Sequence, residues 1–420
     1  MRATLQSSKQ GEQVIARCHE IAAFTEVPDQ ITRTFLSPPM HGVHDLVRGW
    51  MEAAGMTVRI DGMGNIRGLY PSARPDAPRL LIGSHLDTVP NAGAFDGVLG
   101  VVLAVTLVEH LYGAKLPFAI EVIGFSEEEG IRFGKPFLGS LAVVGELGDE
   151  SLQRMDANRI RVAEAIASFG LRVEDISDAR IAPESFAYLE FHIEQGPVLE
   201  SESLPLGIVD GVMGQSRFEL TFAGQANHAG TTPMDLRHDA LAAAAEWIVK
   251  VETYARSHAD LVATVGRIAA SPGAGNVVAA EVNASLDVRH ADDGVRTAAV
   301  EALLQAGVSA ANRRGVRCVS RCLLQQTSVR MDPSLIDLLQ AAAKRAGHGA
   351  RRLTSGAGHD AMILAPHIPS AILFLRSPGG LSHHPDETVL PEDVDAALAT
   401  AREFLALLRD DTATLKDHDA

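Results

Sequence analysis

Leu81-Ile82-Gly83-Ser84-His85-Leu86-Asp87, continued by Phe95-Asp96-Gly97, is the most informative stretch of this chain. A short apolar run ends in a histidine, an aspartate follows two residues later, and a second aspartate precedes a glycine. Imidazole and carboxylate groups held on rigid backbone are the ligands that divalent metals need. The stretch therefore predicts a buried strand with metal ligands at its end.

A second apolar strand, predicted from Phe118 to Phe125, runs directly into Glu127-Glu128-Glu129-Gly130. Three adjacent carboxylates repel one another in water, and a bound cation would neutralise them. The alternative is a solvated acidic turn, which the position directly after an apolar strand disfavours. The two strands together favour a metal site.

Composition sets broad limits on the function. The chain has 420 residues, 46% of them hydrophobic and 21% charged, which is typical of a globular protein with two or three domains. Its formal net charge of −16 disfavours nucleic acid as a partner. Without an apolar signal core, or a run of about 18 apolar residues, we expect neither secretion nor a membrane span, and a cytoplasmic location.

The cysteines also favour a cytoplasmic location. Cys18, Cys318 and Cys322 are too few, and odd in number, for a disulfide framework, so they indicate a reducing compartment. Cys318 and Cys322 could form a thiolate metal pair. We instead interpret them as two residues on the same face of a strand.

Helix and strand patterns alternate through the first half of the chain. Helices are predicted at 13–22, 41–55, 98–111 and within 138–167, and strands at 57–60, 80–83, 119–125 and 187–193. This alternation predicts a three-layer α/β/α domain with a substantially parallel sheet.

The pattern changes near residue 211. Strands at 217–222, 263–268 and 284–288, with helices at 236–255 and 294–310, predict an α+β unit. The first pattern then resumes with a helix at 333–346, a Gly-rich loop at 355–358, a strand at 371–375 and a helix at 392–408. We therefore expect a catalytic domain formed by residues 1–211 and 327–420, split by an inserted domain at 212–326.

Candidate metal ligands fall at the ends of predicted strands or in the loops after them. They are His85, Asp96, Glu129, His192 and a histidine of Ser382-His383-His384-Pro385. In a parallel sheet those ends share one edge, where α/β proteins place their sites. Five nitrogen and oxygen ligands without a thiolate suit two Zn²⁺, Mn²⁺ or Co²⁺ ions that share a carboxylate.

These segments occur in order with several others along nearly the whole chain. The others include His192-Ile193-Glu194-Gln195-Gly196-Pro197, Asn227-His228-Ala229-Gly230, Leu286-Asp287-Val288-Arg289 and Ser355-Gly356-Ala357-Gly358-His359-Asp360. The set resembles the hydantoinase/carbamoylase branch of the metallopeptidase M20 superfamily. Within that branch, Arg33-Thr34-Phe35-Leu36-Ser37-Pro38 and Val212-Met213-Gly214-Gln215 resemble the allantoate amidohydrolase subgroup.

The resemblance implies a role for each ligand. Asp96 would bridge two metals, His85 and His192 would complete one site, and Glu129 and His383 would complete the other. The Ser-His-x-Pro motif places the ligand at His383 and leaves the role of His384 open.

The resemblance also implies the catalytic groups. Glu128 would be the general base, Asp87 would orient His85, and Glu127 would be a bystander. The inserted domain would act as a lid and dimerisation domain, from which His228 would reach the active site of the partner subunit.

Substrate contacts are implied as well. Arg217, Asn276 and Arg289 would hold the carboxylate and ureido groups of a substrate, with Gln195 and the backbone around Gly358 nearby. The alternative for the arginines is surface salt bridging. We set that alternative aside for Arg289, because the alternation of residues 286–288 leaves it at the end of a strand.

The expected function is that of a homodimeric, two-metal amidohydrolase. It would cleave a linear ureido group of a small carboxylate, most plausibly allantoate in purine degradation, and release ammonia and carbon dioxide. The alternatives are an N-carbamoyl-L-amino acid hydrolase or a β-ureidopropionase, then a metallo-aminopeptidase or dipeptidase, and last a non-enzymatic binding protein.

Overall fold

The computed structural model describes the backbone of residues 2–414 and the side chains of residues 9–410. Its strands, in chain order, are β1 Thr57–Ile60, β2 Ile66–Tyr70, β3 Arg79–His85, β4 Ala119–Phe125, β5 Ser185–Ile193, β6 Leu206–Val212, β7 Gly214–Ala223, β8 Asn227–His228, β9 Val262–Thr264, β10 Ile268–Ser271, β11 Val277–Val278, β12 Glu281–His290, β13 Arg317–Gln326, β14 Val329–Arg330, β15 Ala350–Ser355 and β16 Ser370–Leu375.

The α-helices of the same residues are α1 Arg2–Ala22, α2 Pro39–Ala53, α3 Val98–Glu109, α4 Leu138–Val144, α5 Asp149–Leu152, α6 Val162–Ser168, α7 Val198–Ser201, α8 Ala240–Arg256, α9 Asp293–Asn312, α10 Pro333–Arg345, α11 Asp360–Leu364 and α12 Pro391–Thr414. The segment 138–167, predicted to be helical, is divided into α4, α5 and α6. The first break comes at Gly145, whose φ of 78° ends α4 in a left-handed conformation.

The chain divides into two compact units, Met1–Asp210 with Arg330–Ala420, and Gly211–Val329. These boundaries lie within three residues of the positions expected from the sequence. We call them the first and the second unit.

The large sheet has the order β1-β2-β4-β3-β5-β16-β6-β14, with β15 also paired to β6. Its centre is parallel, since β3 pairs in parallel with β4 and β5, and β16 pairs in parallel with β5. The strands β1, β2 and β6 run antiparallel at the flanks.

Helices cover both faces of this sheet. On one face α1, α3, α10 and α12 pack on one another and on the central strands, while α4 and α11 pack together with α11 against β5 and β16. Every residue of β4 is buried, as expected for a strand covered on both sides. Residues 98–108 of α3 are buried too, which explains its nearly unbroken apolar sequence. The predicted mixed α/β fold is confirmed.

The second unit is built on an antiparallel sheet of order β10-β12-β7-β13, with β9 paired to β12. Side chains of β7 alternate between buried and exposed positions, and Phe218, Leu220 and Phe222 face α8 and α9. Trp247 of α8 is fully buried in this core and donates from Nε1 to the carbonyl of Leu303, at 2.9 Å. The prediction of one strand at 263–268 is wrong, because the chain breaks it at Gly266 into β9 and β10.

Two further predictions were that Cys318 and Cys322 are strand residues and that the chain has no membrane span. Cys318 and Cys322 both lie on β13 and are free, and they take no part in the candidate metal-binding groups formed by the described residues. Among residues 2–414, the helices are too short or too polar to cross a bilayer.

Candidate metal centre

The parallel strands bring the candidate ligands to one edge of the large sheet. His85 is the last residue of β3, and His192 is the last but one of β5. Glu127 to Glu129 follow β4, and His383 lies in the loop after β16. Because these strands are parallel neighbours, their carboxyl ends lie side by side.

His85, Asp96 and His192 form a first buried group, whose ligand atoms lie within 4.8 Å of one another. The Oδ1 atom of Asp96 is 3.2 Å from Nε2 of His192 and 3.7 Å from Nε2 of His85. All three side chains are almost completely shielded from solvent. We call this group the inner position.

The other nitrogen of each imidazole ring fixes its tautomer. Nδ1 of His85 lies 3.0 Å from the carbonyl of Asp87, and Nδ1 of His192 lies 3.0 Å from the carbonyl of Ile193. A carbonyl can only accept, so Nδ1 carries the proton and Nε2 presents a lone pair in the neutral ring. The two Nε2 atoms are 3.4 Å apart, and Oδ1 of Asp96 has no hydrogen-bond partner among the described residues. Three acceptors that converge in this way fit a divalent cation.

Asp96, Glu129 and His383 form a second group, which we call the outer position. Oδ2 of Asp96 is 3.1 Å from Nε2 of His383, and Oε1 of Glu129 is 3.4 Å from the same nitrogen. Asp96 thus turns one oxygen to each position, as a bridging carboxylate must. The side chain of His383 is 49% exposed, so the outer position is the more accessible one.

His384, the neighbour of His383, makes different contacts. Nδ1 of His384 accepts from the backbone N–H of Asp386, at 3.1 Å, and the ring is half exposed. The structure therefore brings His383, and not His384, to the acidic residues Asp96 and Glu129.

Asp87 positions both the histidine ligand and the acidic turn. Its carbonyl contacts His85, whereas its carboxylate is 3.4 Å from that ring. The carboxylate instead accepts from the backbone N–H groups of Glu128, at 3.0 Å, and Glu129, at 3.1 Å. Asp87 thus contacts His85 and also the backbone of Glu128 and Glu129, the predicted base and a predicted ligand.

The charges of the centre are strongly perturbed. Burial, followed by the neighbouring Glu129 carboxylate, raises the pKa of Glu128 well above its ordinary value. Burial acts to raise the pKa of Asp96, but the three surrounding histidines outweigh it and lower that pKa well below the usual range. Asp96 and then Glu129 raise the pKa of His383 to about 10. Carboxylates and imidazoles this close are typical of functional centres.

Two glycines make room for these side chains. Gly97 has a φ of 67°, and a Cβ there would lie 2.4 Å from the ring of His85. A Cβ on Gly358 would lie 2.9 Å from the ring of Phe137 and 3.5 Å from Oε1 of Glu128. Gly358, expected near the substrate, therefore lies beside the predicted base.

Sequence reasoning missed a buried layer behind the inner position. His359 contacts the ring of His192, with centroids 4.5 Å apart, and shares a 2.8 Å hydrogen bond with Ser355. Glu190 accepts from the backbone N–H of Ala361 at 2.8 Å, and its ligand atoms lie close to those of His192 and His359. The available signal was spacing, since Glu190 lies two residues before His192 on one strand face.

Gln195, expected near the substrate, contacts Asp96. Its Nε2 donates to Oδ2 of Asp96 at 2.9 Å and to Oγ of Ser382 at 3.1 Å. Its Oε1 atom has no hydrogen-bond partner among the described residues. Gln195 therefore holds the carboxylate of Asp96, and its part in substrate binding stays a prediction.

His228 and Asn276 lie together in the second unit, where β8 and β11 form a small antiparallel pair. The backbone N–H of Ala229 donates to the carbonyl of Asn276 at 2.9 Å. Nδ1 of the exposed His228 accepts from the backbone N–H groups of Gly230 and Thr231, at 3.1 and 3.2 Å. The proton of the neutral ring must then sit on Nε2, which makes His228 a hydrogen-bond donor.

Arg217 and Arg289 both form ion pairs with Asp287. Nε of Arg289 is 2.9 Å from Oδ1 of Asp287, and Nε of Arg217 is 3.0 Å from Oδ2. Setting the salt-bridge reading aside for Arg289 was wrong, because Asp287 lies two residues away on the same face of β12. Two guanidinium groups thus share the carboxylate of Asp287.

Comparisons with known proteins agree on the family. The sequence profile of Peptidase family M20/M25/M40 matches residues 81–407. Allantoate deiminase 1 of Glycine max is 38% identical over 428 residues, which cover 94% of this chain and 89% of the relative. N-carbamoyl-L-amino acid amidohydrolase of Geobacillus stearothermophilus is also 38% identical, over 91% of this chain and 95% of the relative.

A solved structure extends the likeness to three dimensions. The amidase of the hydantoinase/carbamoylase family from Burkholderia multivorans has a TM-score of 0.88 and 32% identity, and covers 95% of this chain and 97% of its own. This chain therefore belongs to peptidase family M20/M25/M40, and within it to the hydantoinase/carbamoylase branch.

Proposed function

We propose that this protein is a two-metal amidohydrolase that cleaves a linear ureido group of a small carboxylate, with allantoate as the preferred substrate. The observation that carries the proposal is Asp96, whose two oxygens point to two separate groups of nitrogen and oxygen ligands beside the buried Glu128. The relatives named for allantoate and for N-carbamoyl amino acids support a ureido substrate.

Two divalent ions, when bound, supply a Lewis acid for the ureido carbonyl and lower the pKa of water from 15.7 toward about 7. His85 and His192 would hold the inner ion, Glu129 and His383 the outer ion, and Asp96 both. The donor set suits Mn²⁺ or Zn²⁺, with Co²⁺ as a further candidate.

Glu128 is the residue that moves the proton. Its carboxylate accepts a proton from the attacking water and passes it to the leaving nitrogen. A raised pKa suits this exchange, because a base that is too acidic holds the proton weakly. Asp87 keeps the backbone of Glu128 in place during the transfer.

The second unit would supply substrate recognition. Nε2–H of His228, contributed by the partner subunit of a homodimer, would donate to the developing oxyanion. Arg217, Asn276 and Arg289 would bind the carboxylate and ureido groups, with the arginines offering planar donor pairs. In this proposal the second unit serves as the lid and dimerisation domain.

A role in purine degradation and a cytoplasmic location complete the proposal. The role in purine degradation rests on the preference for allantoate. The cytoplasmic location rests on the sparse, free cysteines, of which Cys18 is buried.

A substrate panel tests the function. Protein stripped of metal is reconstituted with Mn²⁺, Zn²⁺ or Co²⁺ and assayed for ammonia release from allantoate, ureidoglycolate, and α- and β-N-carbamoyl amino acids, with dipeptides as a control. We expect the highest kcat/KM with allantoate. Cleavage of dipeptides without ammonia release from any ureido compound would contradict the proposal.

The second candidate is an N-carbamoyl-L-amino acid hydrolase, favoured by the equal identity of the Geobacillus stearothermophilus relative. It would use the same centre with another side-chain preference. The same panel separates the two, since an N-carbamoyl-L-amino acid would then exceed allantoate in kcat/KM.

A further inference from the structure

Glu387 lies between the two loops that bring Asp96 and His383 to the outer position. Its side chain is 5% exposed. Oε1 accepts from the backbone N–H groups of Phe95 and Asp96, at 3.1 and 3.0 Å. Oε2 accepts from the hydroxyl of Ser382, at 3.3 Å. The carboxylate of Glu387 thus links the backbone of Asp96, a predicted ligand, to Ser382, the residue before the predicted ligand His383.

The packing around Glu387 fixes this link. A Cβ on Gly93 would lie 2.3 Å from Cβ of Glu387, so the two loops meet only because Gly93 has no side chain. The N–H of Glu387 donates to the carbonyl of His384 at 3.0 Å, which closes its own loop. These contacts direct the carboxylate of Glu387 toward the loop that carries Asp96.

The two metal positions differ in how their ligands are supported. At the inner position His85 and His192 belong to central strands of the sheet, and the backbone ladder holds them. At the outer position His383 lies on a loop, is half exposed and has a φ of 54°. A ligand on a loop depends on side-chain contacts for its position.

We propose that Glu387 is a positioning residue that sets the separation of Asp96 and His383, and so controls the affinity of the outer metal ion more than that of the inner one. The proposal rests on the two-metal centre of the proposed function. Residues that orient metal ligands typically contribute about 10–100-fold to metal affinity.

Glu194 offers a matched control. It is also a buried glutamate, 8% exposed, that accepts two backbone N–H groups, from Val198 at 2.7 Å and Leu199 at 2.9 Å. Those groups belong to the start of α7 and carry no ligand. Its removal tests for general loss of stability in the same unit.

The experiment measures both metal dissociation constants by titrating metal-free protein with Mn²⁺ in competition with a chelator. For Glu387→Ala we expect the outer ion to bind about 10–100-fold more weakly and the inner ion to change by less than about threefold. Glu387→Gln should regain most of the outer affinity, because its amide oxygen still accepts from Phe95 and Asp96. Glu194→Ala should keep both constants.

Three results would overturn the inference: an unchanged outer ion in Glu387→Ala, an equal loss of both ions, or the same selective loss in Glu194→Ala. If Glu387→Ala does not fold, Ser382→Ala removes the hydroxyl that contacts Glu387. The other contacts of this hydroxyl, Nε2 of Gln195 and Oδ2 of Asp96, also lie on the outer side of Asp96, so the variant should weaken the outer ion alone by a few fold. The proposed function is tested separately with the unsubstituted protein, by measuring whether it binds two metal ions and releases ammonia from a ureido substrate.

Discussion

The candidate metal centre of the first unit and the predicted substrate-binding residues of the second unit differ in how far solvent reaches them. At the centre, His85, Asp96 and His192 are buried, and backbone carbonyls hold the two imidazole rings. On the second unit, His228 and Arg217 are exposed, although Arg217 is ion-paired with Asp287 and Nδ1 of His228 accepts two backbone N–H groups. The first arrangement shields its polar groups from solvent, whereas the second leaves His228 and the ion-paired Arg217 exposed to it.

Substitutions in the two regions should therefore have different effects. A change at the buried centre should alter metal content or the chemical step, because the predicted ligands share their supports. A change at the exposed residues of the second unit should alter substrate binding or transition-state contacts and leave the metals in place.

Gly97→Ala should break the inner position, because the added Cβ would lie 2.4 Å from the ring of His85. A metal contributes several kcal/mol to such a reaction, so we expect turnover to fall by about 10⁴-fold. Metal analysis of the purified variant checks the cause. Gly113→Ala is the control, since Gly113 also has a positive φ, of 83°, but no atom within 4 Å of its Cβ. Full metal content in Gly97→Ala would contradict this account.

Glu128→Gln should keep both metals and lose about 10²–10⁴-fold in kcat, as expected when a general base is removed. The amide is nearly isosteric, and the backbone N–H of residue 128 still binds Asp87. Metal content and steady-state kinetics on the same preparation give the answer. A kcat near that of the parent would remove Glu128 as the base.

His228→Ala should lower kcat by about 10²–10³-fold with metal content unchanged, the usual effect of losing one oxyanion donor. Mixing these subunits with Glu128→Gln subunits should restore part of the activity, because one site in each mixed dimer has both groups. His258→Ala, an exposed histidine of the same unit, should behave like the parent. Mixed dimers shown to form but inactive would argue against a shared site.

Arg289→Lys should raise KM about tenfold with little change in kcat, because a lysine cannot reproduce the planar donor pair. Arg313→Lys is the matched control, as Arg313 is also ion-paired, with Glu246. Substrate saturation curves measure the effect. An equal KM in the parent and in Arg289→Lys would remove Arg289 as a substrate contact.

Local sequence was enough to predict the secondary-structure elements that are buried on both faces. The strand predicted to begin at residue 118 or 119 and to end at Phe125 matches β4 to within one residue, because a mostly apolar run needs no further context. The strand β6 was not predicted, since Gly207, Asp210 and Gly211 interrupt its pattern, and pairing with β16 stabilises it. Such strands depend on partners that are distant in the chain.

The candidate site divides in the same way. The predicted ligands His85 and Asp96 stand out within one short stretch, because His85 follows an apolar run and Asp96 precedes Gly97, which has a positive φ. Sequence patterns do not reveal the positions of Glu387 and His359, since their partners Asp96 and His192 lie far away in sequence and only the folded chain joins them. The ion pair of Arg289 depends on Asp287, which lies two residues away on the same strand face.

Anomalous diffraction from crystals of Mn²⁺-loaded protein would locate the metal ions of the proposed two-metal centre. We expect two peaks per chain, about 3.5–4 Å apart. One should contact His85, His192 and Asp96, and the other Asp96, Glu129 and His383. A single peak, or a second peak away from Asp96, would contradict the two-metal centre.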